Sequence, residues 1–359
     1  MYKCVHLLFH NELKFNTRIV DFFSGVLNTF LKNYENVFIT NQTEVFQSLN
    51  EKGVLYDNLK IHCAINKYAR DYDWVFIHDL NKPVELLFVK RKYLKKIIWR
   101  TWGSDIGYAK RENERFYVSI IKQFINFLLG FRIEQIKMIG VANVVDIISL
   151  KECFNKLPLT LKMPYSNSSF NVYDVLASIK NKGDDNKSEV INVMIEHSGY
   201  DETQISIMKM LEKYKNEDIH LYLVLSYGKE EYIEQVKEYV RLNWMDKASI
   251  ITNFMDYNSY AVLLHKMDIA IFDKIQSYAL GNISIMTFFK KKIFLNVNGV
   301  LKKGFELEHI PFSTTAEIKD MDFEEFCRPV CYPENAGETI IPKGKIGVDR
   351  WMEIFKVLK

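Results

Sequence analysis

Short apolar segments alternate with amphipathic segments between residues 189 and 297, and this alternation constrains the possible folds more than any other feature. The apolar segments are VINVMIE (190–196), IHLYLVLS (219–226), ASIIT (248–252), DIAIF (268–272) and KIFLNV (292–297). The segments between them have helical periodicity, as at residues 202–215, where Ile205, Met208 and Leu211 share one face. Strands that are apolar throughout and alternate with helices are typical of a parallel sheet with helices on both faces.

The first half of the chain shows the same alternation less clearly. Its strand candidates are YKCVHLLF (2–9), ENVFIT (35–40), DWVFIH (73–78), KKIIWR (95–100) and IKMIGVANV (136–144), and a helix is predicted near residues 17–31. The polar stretch NKGDDNKSE (181–189) has the composition of a linker. We therefore predict an α/β protein with two Rossmann-like domains, 1–183 and 184–340, whose parallel sheets face each other across a cleft. Residues 341–359 contain a helix that can pack on either domain.

Length, charge and composition exclude several classes of protein. The 359 residues suffice for two packed cores, and a formal net charge of +3 is too balanced for a dedicated nucleic-acid-binding protein. No signal peptide is visible, and the longest uncharged run, the 15 residues from Ile275 to Phe289, is too short to cross a bilayer. The 5 cysteines are scattered, which indicates reduced thiols. We expect a cytosolic protein with no nucleic-acid partner.

Two strand-to-helix corners in the second half have the residues expected of a phosphate site. Ser198 and Gly199 follow the strand at 190–196, and Gly281 and Asn282 precede the helical ISIMTFF. Open α/β sheets bind ligands at the carboxyl ends of their strands, and the N–H groups of a helix N-terminus suit a phosphate. Two such corners fit a nucleotide diphosphate. Each also has a structural explanation, because glycine permits a tight turn and asparagine caps helices.

Other motifs narrow the choice of ligand. Neither G-x-G-x-x-G nor G-x-x-x-x-G-K-[ST] occurs, which argues against nicotinamide dehydrogenases and P-loop kinases. Asp71-Tyr72-Asp73 and Asp320-Met321-Asp322 match the D-x-D pattern with which some glycosyltransferases bind Mg²⁺ or Mn²⁺. Such short matches arise readily by chance, and both lie in polar segments typical of solvated loops. We expect no catalytic metal and no other cofactor.

The segment KKIIWRTWGSDIGY (95–108) is the most distinctive part of the first half. A strand ends there before Trp102, Gly103 and Asp105, so that an aromatic ring, a flexible corner and a carboxylate come together at the predicted cleft. Aromatic faces and carboxylates suit a sugar, and a positioned aspartate can accept the proton of an attacking hydroxyl. The structural alternative is that Asp105 caps a turn and Trp102 fills the core.

The order of short segments along the chain resembles that of the TDP-N-acetylfucosamine:lipid II N-acetylfucosaminyltransferase family. The similar segments are FHNELKFNTRIVDFF, FIHDLNKP, WRTWGSDIGY, IEHSGYDETQ, EEYIEQVKEY, YAVLLHKMDIAIF, YALGNISIM and GVDRWMEIFKVL. This 4-alpha-L-fucosyltransferase-like family has the GT-B fold and works in the cytoplasmic assembly of enterobacterial common antigen. The sequence departs from the family at His197, where the family tends to have asparagine, and around Ala279, where it is richer in glycine.

The resemblance implies transfer of a deoxy or deoxyamino sugar from a nucleotide diphosphate, similar to TDP-N-acetylfucosamine, to a saccharide on a polyprenyl diphosphate. It implies a donor site in the second domain at Ser198, Gly199, Tyr227, Gln276, Gly281 and Asn282. On the acceptor side it implies Trp102, Gly103 and Asn16, with Asp105 as the catalytic base and His78 as the alternative. A histidine at the end of a strand is otherwise often a hydrogen-bonded core residue.

Two segments of the first half suit the membrane surface that a lipid-linked acceptor requires. VKRKYLKKIIWR (89–100) has six basic residues and no acidic one, and RFYVSIIKQFINFLLGFR (115–132) is aromatic and apolar with basic ends. Both can meet anionic lipid, which predicts peripheral attachment to the inner leaflet of the bacterial inner membrane. The structural alternatives are a solvated basic face and an ordinary buried helix.

Two other classes of protein stay compatible with the sequence. A nucleotide-sugar epimerase of GT-B-like fold needs the same diphosphate corners and consumes its donor without an acceptor. A non-catalytic two-lobed binding protein binds its ligand without turnover. The sequence does not determine whether a transfer would invert or retain the anomeric configuration.

Overall fold

The computed structural model contains two compact α/β units. The first consists of Met1–Phe170 and Lys345–Lys359, and the second of Asn171–Gly344. The structure describes residues 1–10, 13–80, 82–102, 105–106, 116–141, 144–163, 172–181, 189–196, 203–225, 229–253, 255–275, 278–334, 336 and 346–358.

The first unit is built on a seven-stranded parallel sheet with the strand order β3-β2-β1-β4-β5-β6-β7. Its strands are β1 (Tyr2–Leu7), β2 (Tyr34–Thr40), β3 (Val54–Tyr56), β4 (Trp74–His78), β5 (Ile97–Arg100), β6 (Met138–Val141) and β7 (Leu159–Lys162). Its helices are α1 (Leu13–Asp21), continued by a π-helical segment (Phe22–Leu27), α2 (Thr43–Leu49), α3 (Ile61–Tyr68), α4 (Arg91–Leu94), α5 (Phe116–Ile133) and α6 (Val144–Cys153). Short 3₁₀ turns lie at Asn50–Lys52 and Pro83–Phe88.

The second unit is built on a six-stranded parallel sheet with the order β10-β9-β8-β11-β12-β13. Its strands are β8 (Ile191–Ile195), β9 (Ile219–Val224), β10 (Ala248–Ile251), β11 (Ile269–Phe272), β12 (Lys292–Leu295) and β13 (Ser313–Thr314). Its helices are α7 (Val172–Asn181), α8 (Thr203–Leu211), α9 (Glu230–Asn243), α10 (Tyr257–His265), α11 (Leu280–Phe288), α12 (Val300–Leu307) and α13 (Phe323–Cys327), with 3₁₀ turns at Glu212–Tyr214, Met245–Lys247 and Thr315–Lys319.

The last helix, α14 (Ile346–Val357), returns to the first unit. Its Trp351 and Phe355 are buried in one apolar cluster with Phe22 and Phe76. Tyr34, at the start of β2, donates a hydrogen bond from its hydroxyl to the carbonyl oxygen of Phe355 (2.8 Å). The sequence predicted this helix and allowed it either domain, and the structure assigns it to the first because its aromatic face completes that unit's core.

The boundary between the two units lies at a different residue from the boundary predicted from the sequence. Residues 172–181 form α7, which belongs to the second unit although the first domain was expected to extend to residue 183. The reason is packing: the Tyr173 and Phe288 rings lie 5.6 Å apart, and Lys180 Nζ lies 5.6 Å from the centre of the Phe288 ring. The predicted linker residues 182–188 lie outside the described part of the chain.

Each sheet has one point at which the strand order reverses. In the first unit this point lies between β1 and β4, and in the second between β8 and β11. Chain connections leave to opposite sides there, which opens a crevice outside the carboxyl ends of the two strands, and ligands of open α/β sheets bind at such points. The polar residues that follow these four strands are therefore the first place to seek a functional site.

Candidate functional site

The first candidate site lies where the strand order of the first sheet reverses. His10 comes soon after β1, Asp79 directly follows β4, and the corner after β5 contains Trp102 and Asp105. His10 Nε2 lies 3.7 Å from Asp79 Oδ2. Residues far apart in sequence thus meet at the carboxyl ends of three neighbouring strands.

An aromatic cluster of His10, Phe15 and Trp102 lines this site. The ring centres of Phe15 and Trp102 lie 4.7 Å apart, those of His10 and Phe15 5.0 Å apart, and those of His10 and Trp102 6.4 Å apart. Asn16, fully buried on α1, donates from Nδ2 to the carbonyl oxygen of His10 (2.7 Å) and so holds the loop after β1. The structure therefore brings Trp102 and Asn16, two of the predicted acceptor-side residues, together around His10.

Asp105 holds the corner after β5 together through both carboxylate oxygens. Oδ2 accepts hydrogen bonds from Trp99 Nε1 (2.8 Å) and from the backbone N–H of Leu80 (3.3 Å), and Oδ1 accepts one from the backbone N–H of Trp102 (2.9 Å). The side chain is buried, and burial raises its pKa, although these hydrogen bonds oppose the shift. The contacts give Asp105 a positioning role, while its role as a base stays a prediction.

His78, the last residue of β4, lies in the core beside His6. Its Nε2 is 2.8 Å from His6 Nδ1, and His6 Nε2 is 3.0 Å from Asn36 Oδ1. An amide oxygen only accepts hydrogen bonds, so His6 carries its proton on Nε2 and accepts from His78 at Nδ1. Burial lowers the pKa of His6 to about 3 and holds the pKa of His78 well below its usual range. Both rings are thus neutral at neutral pH, and the role of His78 as alternative base stays a prediction.

Asp79 is a site residue that the sequence analysis missed. Its backbone has φ 83°, in the left-handed region, and its side chain is 5% exposed. Within the described part of the chain Oδ1 has no hydrogen-bond partner. Burial, and after it the neighbouring Asp105 carboxylate, raise the pKa of Asp79 to about 8. Its only signal in the sequence is a polar residue directly after an apolar strand.

The second candidate site lies where the strand order of the second sheet reverses. Asn282, in the first turn of α11, donates from Nδ2 to Glu196 Oε2 (2.8 Å) and to the Tyr260 hydroxyl (2.9 Å). Glu196 is buried and directly follows β8. The N-cap residue of α11 is Ala279, with φ 49°, so the Asn282 side chain is not the cap of its helix. This hydrogen bond joins the two corners predicted for the donor.

The remaining predicted donor and acceptor residues divide into two groups. Gly281 lies in the first turn of α11, and a Cβ added there would meet no atom within 4 Å, so local packing does not require glycine. The other predicted residues lie outside the described part of the chain: Gly103, Ser198, Gly199, Tyr227 and Gln276. Their roles, like those of Gly281 and Asn282, stay predictions.

The two D-x-D segments make local hydrogen bonds. Asp73 Oδ2 accepts from the backbone N–H of Lys3 (2.8 Å), and Asp322 caps α13 by accepting from the backbone N–H of Glu325 (2.7 Å). Over the residues that the structure describes, no group of three or more His, Cys, Asp and Glu side chains could hold a metal ion.

One face of α5 is apolar and exposed. It consists of residues at the i, i+3, i+4 and i+7 spacing of a single helical face: Phe124 (61% exposed), Phe127 (60%), Leu128 (39%) and Phe131 (52%). We call these four residues the apolar stripe. On the opposite face of the helix, Leu129 and Ile133 are buried. No helix in the described ranges is both long enough and apolar enough to span a membrane.

Four basic residues in and beside α4 are exposed, namely Lys90, Arg91, Lys92 and Lys95. Arg91 and Lys95 line a surface pocket together with Phe131. Arg91 Nε also donates to Gln135 Oε1 (2.9 Å), and Gln135 Nε2 donates to the carbonyl oxygen of Phe131 (2.6 Å). The basic and apolar surfaces are therefore continuous.

Solved structures share this two-unit architecture over nearly their whole length. A glycosyltransferase from Rickettsia africae matches with a TM-score of 0.60 at 14% identity, covering 99% of this chain and 98% of that one. Anabaena Alr3699/HepE in complex with UDP and glucose matches with a TM-score of 0.64 at 10% identity, covering 100% and 99%. Sucrose-phosphate synthase from Thermosynechococcus elongatus matches with a TM-score of 0.53 at 10% identity, covering 100% and 96%.

These likenesses define the fold. The chain has the GT-B fold of two Rossmann-like domains, which confirms the fold class predicted from the sequence. No protein-family model matches the sequence, and a search of curated proteins finds no match.

Proposed function

We propose that the protein is a glycosyltransferase that moves a sugar from a nucleotide diphosphate donor to a saccharide on a polyprenyl diphosphate, in the assembly of a bacterial surface polysaccharide. The observation that carries the proposal is the hydrogen bond from Asn282 to Glu196. It joins the start of α11 to the corner after β8 at the strand-order reversal of the second sheet, within a GT-B fold.

The donor side follows from the chemistry of the leaving group. As the bond from the sugar C1 to the diphosphate oxygen breaks, negative charge builds up on the phosphate. Backbone N–H groups in the first turn of α11, at Gly281 and Asn282, and in the corner at Ser198 and Gly199 would stabilise that charge without a metal. The Glu196 carboxylate accepts a hydrogen bond from Asn282, whose amide also donates to the Tyr260 hydroxyl, and so lies beside these N–H groups.

The choice of donor draws on one similar solved structure and on the sequence resemblance. The neighbouring Alr3699/HepE structure holds UDP and glucose, which favours a nucleoside diphosphate sugar. The preference for a TDP-linked deoxyamino sugar such as N-acetylfucosamine rests on the sequence resemblance alone.

On the acceptor side, the rings of Trp102, Phe15 and His10 offer the aromatic surface that saccharides prefer.

The test is release of nucleoside diphosphate from TDP-, UDP- and GDP-sugars, with and without a short polyprenyl-diphosphate-linked saccharide. We expect release that depends on the acceptor, and donor binding at least about tenfold weaker in Asn282→Ala, because hydrogen bonds to charged groups are worth about 1.5–3 kcal/mol. Asn258→Ala, an exposed amide in the same unit, is the matched control. Donor consumption without acceptor would identify an epimerase, and binding without turnover a binding protein.

We also propose that the first unit attaches to the inner face of the bacterial inner membrane through the apolar stripe. The stripe can enter the lipid interface while Lys90, Arg91, Lys92 and Lys95 meet anionic headgroups. The exposed fractions of Phe127 and Phe131 and their continuity with the basic residues support this surface. A lipid-linked acceptor would be presented to the enzyme at that surface.

Co-sedimentation with phosphatidylglycerol vesicles tests the membrane surface. We expect the double variant Phe127→Ser/Phe131→Ser to bind at least about tenfold more weakly, because burying each ring contributes about 1.5–3 kcal/mol. Leu242→Ser removes an equally exposed apolar side chain from α9 and should bind as the wild type does. Equal sedimentation of the double variant and the control would contradict the assignment.

A further inference from the structure

Asp79 combines a strained backbone with a buried, incompletely bonded carboxylate. A φ of 83° is uncommon for any residue with a Cβ, and such conformations persist where the surrounding structure imposes them, often at functional sites. The backbone N–H of Asp79 donates to the carbonyl oxygen of Arg100 (3.3 Å), which ties it to the end of β5. The carboxylate is therefore held at the strand-order reversal between β1 and β4.

The two oxygens of this carboxylate differ in their surroundings. Oδ2 faces His10 Nε2 at 3.7 Å, whereas Oδ1, in the described part of the chain, has no hydrogen-bond partner. A buried polar atom without a partner is costly and uncommon in folded proteins, and a ligand group is one of the few explanations for it. An acceptor hydroxyl would supply the missing donor.

The surroundings of Asp79 suit a saccharide. His10, whose Nε2 lies 3.7 Å from Asp79 Oδ2, belongs to the aromatic cluster with Phe15 and Trp102, and both Phe15 and Trp102 stay partly exposed. A hydroxyl of a sugar that stacks on these rings would come within reach of a carboxylate beside them.

The other two titratable candidates are already engaged. Asp105 accepts three hydrogen bonds over its two oxygens, so taking up a proton would disturb the corner that it holds. His78 is fully buried and its Nε2 donates to His6. Of these three side chains, only Asp79 is a carboxylate with an oxygen that accepts no hydrogen bond from a described residue.

We propose that Asp79 is the general base of the transfer, with His10 orienting its carboxylate. The inference rests on the proposed glycosyltransferase function. The acceptor oxygen forms a bond to C1 of the donor sugar, the bond from C1 to the diphosphate oxygen breaks with its electron pair, and the acceptor proton passes to Asp79. A base is required for this single displacement, so the transfer inverts the anomeric configuration.

The charges around Asp79 set the pH range in which this base works. Burial and the Asp105 carboxylate, from the corner after β5, raise the pKa of Asp79 to about 8, while His10 faces it from the loop after β1. Arg100, at the end of β5, acts on Asp105 and His78. Since the base must be ionised, kcat/KM should rise with pH and level off above about pH 8.

Chemical rescue distinguishes a base from a structural residue. We expect Asp79→Gly to lower acceptor-dependent turnover by about 10²–10⁴-fold and to leave donor affinity unchanged. Added formate should then raise the turnover of this variant at least about tenfold. Glycine also adopts a φ of 83° freely, so this variant should fold. Asp105→Asn is the comparison: its remaining activity should still rise with pH, but at lower pH because one cause of the raised pKa of Asp79 is removed, and should not respond to formate.

Three results would overturn the inference: Asp79→Gly that stays within about threefold of wild-type turnover, a loss that formate does not reverse, or a product with retained anomeric configuration. If the wild type itself transfers no sugar, the proposed function fails and this inference fails with it. If the wild type transfers sugar and Asp79→Gly does too, only the assignment of the base fails.

Discussion

Replacing Trp351 by alanine should lower the free energy of unfolding of the first unit by about 3–5 kcal/mol. Trp351 is fully buried, and its ring centre lies 4.9 Å from that of Phe23 and 6.1 Å from that of Phe76 on β4. The cavity left by the indole can close only by moving α14 or the π-helical segment after α1, so the loss includes both transfer and cavity terms. Because α14 follows the whole second unit in sequence, its docking completes the first unit only after the second unit has been synthesised.

Hydrogen exchange measured on peptides of each unit would separate this effect from the second unit, since a chain of two units need not unfold in one step. Peptides of β1 and β4 should lose protection in Trp351→Ala, while peptides of β8 and β11 should not. Glu353→Ala, on the exposed face of α14, is the control and should change stability by less than about 0.5 kcal/mol. Unchanged protection of β1 and β4 would mean that α14 contributes little to the core.

The strands that the sequence did not predict lie at the edges of the two sheets. β3 and β7 are the outermost strands of the first sheet, and β13 is the outermost strand of the second on one side. The strands that were predicted in the sheet interiors, such as β5 and β11, are buried along their whole length. Burial on both faces produces a continuous apolar run that can be recognised locally, whereas an edge strand such as β3, with two of its residues exposed, has no such run.

In the first site, too, only the residues that lie close together in the sequence could be predicted to associate. Trp102 and Asp105 lie within one short segment, so their association could be predicted from the sequence alone. Asp79 and His10 become neighbours only because β1 and β4 pair side by side, which no local pattern records. The resemblance gave His78 as the alternative base, yet the strand directs its ring into the core against His6, and the next residue is the one at the crevice.

The second site was anticipated more fully, because its two corners each follow a strand with a clear apolar pattern. What the sequence could not supply was the contact between them, in which Asn282 bonds Glu196 and Tyr260. Glu196 ends its apolar segment and was counted as part of the strand, although a buried carboxylate at that position is itself unusual. A glutamate at the end of an apolar segment could have indicated a site residue, but the apolar residues before it led to its assignment to the strand.

Replacing Asp79 by asparagine should stabilise the first unit above pH 8 by on the order of a few kcal/mol and leave its stability almost unchanged near pH 4. The folded state keeps a proton on Asp79 up to about pH 8, because burial and the Asp105 carboxylate disfavour the charge. The unfolded chain releases that proton near pH 4. Wild-type stability therefore falls as pH rises from about 4 to 8, while neutral asparagine avoids this loss.

The quantity to measure is the difference in unfolding free energy between Asp79→Asn and wild type from pH 4 to pH 9, by hydrogen exchange on peptides of the first unit. The difference should grow across this window and then level off, and other titrating groups should cancel from it. Asp71→Asn, an exposed carboxylate in the same unit, should shift stability by less than about 0.5 kcal/mol at every pH. A difference that does not vary with pH would mean that Asp79 ionises without cost and is therefore solvated. A growing difference would mean that the fold keeps a buried carboxyl group whose ionisation costs stability, which proteins retain at sites where that group has a function.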